Sequence, residues 1–149
     1  MLLKDICTLD VACCGRDTDV FAAARLMRQH HTGDLIVVDD PATDRTPAGI
    51  VTDRDILVNV LASERDLAKT RMGDIMSTQL VIADGSETAT QALERMRLHG
   101  VRRLPVVDHK GTLIGIVTLD DLLTLHASHA AAVASIVAKE RDQEQRTRR

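Results

Sequence analysis

"GIVTDRDIL" (Gly49–Leu57) and "GIVTLDDLL" (Gly115–Leu123) stand 66 residues apart and follow one plan. A β-branched run, strand-forming by its shape, ends on a threonine, and an aspartate follows three residues later. Apolar residues then recur at three–four spacing (Ile56, Leu57, Val60, Leu61), which is the period of a helix. Each stretch therefore marks a strand that turns into a helix, and the chain writes this junction twice.

Working outward, the repetition widens. At an offset of 69, "ARLMRQHHTGDLIVVD" (Ala24–Asp39) falls on "LERMRLHGVRRLPVVD" (Leu93–Asp108) without a gap, and Asp5-Ile6 falls on Asp74-Ile75. The offset drops to 66 after the turn "DPATDRTPA", where the first copy carries three extra residues. In the first copy, Val20, Ala23, Ala24 and Met27 predict a helix over Asp17–His31, with Asp17 or Thr18 as its N-cap. "LIVV" (Leu35–Val38) predicts a buried strand, Pro41, Pro47 and Gly49 a turn, "GIV" the next strand, and Asp53 to about Ser63 a second helix. The second copy predicts helix Glu87–His99, strand Leu104–Val107, turn "DHKG", strand Leu113–Val117 and a helix from Leu119. One helix–hairpin–helix unit cannot cover both faces of its sheet. The expected fold is thus α/β, two repeats each with a small sheet and two helices, packed about a pseudo-twofold axis. The expected divisions are 1–66, 67–125 and a helical extension, 126–149, whose charged end frays.

Composition narrows the function. The 149 residues are 44% hydrophobic and 28% charged, as in a folded domain, of a length that buries about 70% of its unfolded surface. No apolar run approaches the roughly 18 residues of a membrane span, and "MLLKDICTLD" has no secretory pattern. A cytoplasmic protein without a membrane partner is expected. The net charge of −3 and a single aromatic residue, Phe21, argue against a nucleic-acid partner. Three cysteines, Cys7, Cys13 and Cys14, without a C-x-x-C motif, fit neither a disulfide framework nor a zinc knuckle. They are expected as small buried hydrophobes, with a thiol sensor at Cys13-Cys14 as the alternative.

The pairs Thr52–Asp55 and Thr118–Asp121 admit two roles. Threonine followed three residues later by an acid caps a helix start. The same junction also directs backbone N–H groups and a partial positive charge at any ligand placed there, and a carboxylate there is able to accept hydrogen bonds from two vicinal sugar hydroxyls.

The repeated pattern, clearest in "VRRLPVVD" (Val101–Asp108) followed by "GIVTLDDLL", resembles the cystathionine β-synthase (CBS) domain, and its two copies resemble the paired module built from that domain. The resemblance covers nearly residues 1–125. It implies two repeats packed through their sheets, two clefts between them, and binding of an adenosine-containing ligand such as AMP, ADP, ATP or S-adenosylmethionine. It further implies a homodimer, a sensing role without catalysis and without a required cofactor, and a regulated protein partner that reads the dimer geometry. By the same resemblance Asp55 and Asp121 would accept ribose hydroxyls, Thr52 and Thr118 would contact ribose or phosphate, and Ile36 and Pro105 would flank the adenine. Arg54, Arg102 and Arg103 are phosphate candidates, since guanidinium forks match phosphate oxygens. The copies differ here: Arg54 faces Asp120 in the alignment, and Gly33-Asp34 faces Arg102-Arg103. Unequal sites are expected. A structural dimerisation module with empty clefts is the rival from another class.

Other signals are weaker. His30-His31 and His99 fall at helix ends, where cations are favoured. His126 and His129 have a ligand spacing but no completing acid or cysteine, so no metal site is expected. No phosphate loop, G-x-S-x-G elbow or H-E-x-x-H motif occurs, and no catalytic residues are expected. After Leu125 the chain matches neither copy. Leu122, Leu125, His129, Val133 and Ile136 give its helix an apolar stripe that covers the module or meets another chain.

Overall fold

The computed structural model describes residues 1–148. Two compact units divide the chain, Met1–Val117 and Thr118–Arg149.

Two three-stranded sheets form the frame, one from each copy. In the first, β1 (Cys13–Gly15), β2 (Asp34–Asp40) and β3 (Asp44–Thr52) lie in that order, β1 parallel and β3 antiparallel to β2. In the second, β4 (Ala83–Asp84), β5 (Arg103–Val107) and β6 (Leu113–Thr118) follow the same order. The short strands β1 and β4 are additions to the sequence expectation, which holds two strands per copy. The two major helices of the first unit are α2 (Val20–His30) and α5 (Ala89–His99). The N-cap of α2 is Asp19, whose Oδ1 accepts from the Ala22 N–H at 2.8 Å. Asp17 and Thr18 do not cap it; Thr18 Oγ1 accepts from the Gly15 N–H instead. Pro47, expected in a turn, lies inside β3 at an irregularity of the register opposite Val38. An edge strand with a bulge is where a proline without an N–H is tolerated.

The second helix of the first copy starts as α3 (Asp53–Asp55) and continues through Ile56–Leu61 with π-type winding, in which the Ala62 N–H reaches back to Leu57 O. Val60 is its buried residue.

Alternation along the strands builds two apolar layers. Leu35, Val37 and Val51 turn toward Val20, Ala23, Met27 and Val60. Ile36 and Val38 turn the other way, meeting Val11 and Leu113 with Ile50 and Ile116 beside them, so the two sheets pack face to face.

Two short segments, α1 (Leu3–Ile6) and α4 (Met72–Ile75), each open one copy but are bonded into the other. The Leu3 and Lys4 N–H groups donate to Glu87 O and Gly85 O, and Thr8 exchanges backbone bonds with Ile116. At the equivalent places the Met72 and Gly73 N–H groups donate to Thr18 O and Arg16 O, and Ser77 exchanges bonds with Ile50. The close approach requires glycine on each strand. A Cβ on Gly49 would stand 2.7 Å from Ser77 O and from Met76 Sδ, and one on Gly115 would run into Cys7 Sγ and stand 2.9 Å from Thr8 O.

The second unit is one helix, α6 (Leu119–Thr147). Its charged end is helical through Thr147 rather than frayed, and the Lys, Glu, Gln and Arg residues that make up most of "KERDQEQR" are good helix formers. The expectation about apolar length is also corrected. This helix holds an 18-residue window of mean hydropathy 1.3, long and apolar enough to cross a membrane by length and composition alone. Leucine, valine and isoleucine supply most of that value, with alanines adding to it, and histidines and serines interrupt the stretch. Leu122 is fully buried, while Val133 and Ile136 are 61% and 59% exposed.

Candidate functional site

The two threonine–aspartate pairs form the same reciprocal cap. The Asp55 N–H donates to Thr52 Oγ1 at 3.1 Å and the Thr52 N–H donates to Asp55 Oδ2 at 2.9 Å. The Asp121 N–H donates to Thr118 Oγ1 at 3.1 Å, and the Thr118 N–H and hydroxyl donate to Asp121 Oδ2 at 2.9 and 2.8 Å. Capping is thus met in both copies. It engages one oxygen of each carboxylate, Oδ2, and Oδ1 takes no part in it. Thr52 and Asp55 are half-buried, and Asp121 is exposed.

A cleft of about 140 Å³ opens within the first unit, lined by Asp10, Val11, Ala12, His30, Thr32, Asp34, Ile36 and Ile116. Ile36, 1% exposed, gives it an apolar wall. Thr52 and Asp55 adjoin this lining rather than belong to it, since Thr52 is the strand partner of Asp34 and the Asp53 N–H donates to Gly33 O at 2.8 Å. The β2–β3 register therefore carries the α3 start to the edge of the cleft.

Asp34 is the unexpected residue of this site. It is 6% exposed, and its Oδ1 accepts from the Thr32 hydroxyl at 3.0 Å. Arg103 Nη1 stands 2.5 Å from its Oδ2. That contact is an ion pair by distance but lacks the alignment of a hydrogen bond, so Oδ2 keeps an unfilled acceptor direction. Arg103, a phosphate candidate from its sequence, is thus engaged by a carboxylate. Arg54 and Arg102 are exposed, and Pro105 is buried in β5. Thr118 and Asp121 belong to the second unit, at the start of α6.

Asp34, Asp10, His30 and Thr32 were not among the residues that the motif pointed to. One signal did exist. Asp34 and Arg103 occupy equivalent positions of the two copies, with opposite charges, and equivalent positions near a twofold relation meet each other.

Of the three cysteines expected to be buried, only Cys14 is; Cys7 and Cys13 are half-buried. Cys14 is buried in the first core, and burial, with Cys13 beside it, pushes its thiol up to about 11. Burial also raises the Cys7 thiol. Among the described residues no group of three or more His, Cys, Asp and Glu is placed to hold a metal ion.

Comparison with known proteins yields consistent relatives. The CBS domain family matches residues 3–62 and 72–128. The CBS domain-containing protein YhcV of Bacillus subtilis is 35% identical over 134 residues, covering 90% of this chain and 91% of its own. The crystal structure of hypoxic response protein I with two coordinated zinc ions superposes with a TM-score of 0.73 at 31% identity, covering 83% of this chain and 98% of the other. The CBS domain pair of protein MJ0100, in complex with 5′-methylthioadenosine and S-adenosyl-L-methionine, gives 0.71 at 26% identity over 87% of this chain and 98% of the other.

Proposed function

The chain belongs to the CBS domain family as a pair of its repeats, and we propose from this that it is a non-catalytic sensing module that binds an adenosine-containing ligand. The observation that carries the proposal is the recurrence, in both copies, of an aspartate held by its cap at the start of a helix with one carboxylate oxygen outside that cap. In the first copy this helix start adjoins a cleft walled by Ile36. An apolar wall suits a base, and a carboxylate suits a ribose diol. The binding of methylthioadenosine and S-adenosylmethionine by a structural relative supports the same ligand class. The ligand then shifts a homodimer between conformations by its differential affinity for them, and a protein partner reads the change.

Calorimetry with AMP, ADP, ATP and S-adenosylmethionine tests this on the wild type and on Asp55→Asn with Asp121→Asn. Asparagine keeps an oxygen for each cap, so the fold survives while the charged acceptor is lost. A charged hydrogen bond contributes about 1.5–3 kcal/mol, so affinity falls by about tenfold or more. No heat with any of the four compounds refutes the proposal.

The rival, a dimerisation module, draws on two observations. The cleft is smaller than the roughly 300–1,000 Å³ of small-molecule sites, and α6 exposes Val133, Ile136 and Val137.

A further inference from the structure

Resting on the adenosyl-binding reading, we propose that the first-unit cleft discriminates by charge, taking adenosyl compounds with a neutral or cationic 5′ substituent and rejecting phosphorylated ones. The cleft is lined by two carboxylates, Asp10 and Asp34, one imidazole and one hydroxyl, and by neither lysine nor arginine. A phosphate would enter a pocket with neither lysine nor arginine in its lining. Arg103, beside Asp34, is held 2.5 Å from Asp34 Oδ2, so recruiting it to a phosphate would strip a buried carboxylate of its counter-charge. The Asp34 side chain is more than nine-tenths buried, and its Oδ2 lacks a hydrogen bond. The Asp10 carboxylate in the lining, with no lysine or arginine beside it, favours a neutral or cationic substituent over an anionic one. The volume of about 140 Å³ holds one part of such a ligand and leaves the rest outside.

The test is a calorimetric series on the full chain with S-adenosylmethionine, 5′-methylthioadenosine, AMP and ATP, repeated on Asp34→Asn. The wild type binds the first two at least about tenfold more tightly than the last two, the effect of a partly screened unit charge. Asp34→Asn removes one negative charge and releases Arg103, so AMP and ATP gain about tenfold relative to S-adenosylmethionine. Binding of AMP or ATP as tight as that of the sulfonium and thioether compounds overturns the charge selection and leaves the adenosyl reading standing. So does an unchanged ratio in Asp34→Asn, provided its thermal unfolding shows it folded; Asp10→Asn, more exposed, repeats the measurement where it is not. Silence of all four compounds removes the adenosyl reading, and this inference with it.

Discussion

Gly49→Ala tests the seam through which the two copies hold each other. The added Cβ would stand 2.7 Å from Ser77 O, a backbone atom, and 2.7 Å from Met76 Sδ. The methionine is able to swing aside, but the carbonyl moves only with the backbone segment that follows α4. Two backbone hydrogen bonds lie beside the clash, Ile50 N–H to Ser77 O at 3.0 Å and Ser77 N–H to Ile50 O at 2.9 Å. Overpacking costs about 1–3 kcal/mol, and weakening two hydrogen bonds worth about 0.5–1.5 kcal/mol each adds to it. The expected loss is about 2–4 kcal/mol. Urea unfolding followed by circular dichroism reads it as a lower midpoint at unchanged slope. Gly115→Ala, which meets Thr8 O at the equivalent place, should lose a similar amount. A loss below about 0.5 kcal/mol, the range of an ordinary surface substitution, would show that the seam yields freely and would refute the reasoning.

Three further outcomes follow from particular side chains. Thr118→Ala removes the acceptor for the Asp121 N–H and should cost about 1 kcal/mol, seen as a lower Tm; an unchanged Tm would deny the cap any weight. Cys14, with its thiol raised to about 11, should resist iodoacetamide at pH 7 in the native state and react once unfolded; labelling of native Cys14 at the rate of a free thiol would contradict its burial. The Asp108 carboxyl, bonded to the N–H groups of Thr112 and Lys110, is held below its ordinary 3.8. A carboxyl lowered by folding contributes stability above its unfolded value, and that contribution is lost as pH falls through the folded one. Asp108→Asn should therefore be less stable at neutral pH and flatten the acid limb below about pH 4; an acid limb of unchanged steepness would count against it.

The strongly periodic parts of the fold were legible in the sequence. The helix at Val20–His30, both hairpins and both strand-to-helix junctions follow from apolar spacing, because burial of one face imposes that spacing. The strands β1 and β4 were not legible, since "CCG" and "AD" are too short to show alternation. The N-cap shifted to Asp19 because Thr18 is drawn to the turn at Gly15. Pro47 punctuates a turn in local statistics, yet here an edge strand accepts it. For the site, the motif led to Thr52 and Asp55 but passed over Asp34, whose importance comes from Arg103, 69 positions away. The exchanged α1 and α4 were likewise hidden, because main-chain bonding leaves little trace in residue type beyond Gly49 and Gly115.

That exchange makes the halves inseparable in a way a repeat count does not suggest. Cut the chain at the end of the first copy, and the N-terminal piece keeps a segment shaped for its absent neighbour while losing Met72, which fills its own interior. Neither piece is a complete folding unit, but each carries what the other lacks, so co-expressed fragments should reassemble where single ones aggregate. A chimera that replaces one half must therefore also replace the opening segment bonded into it.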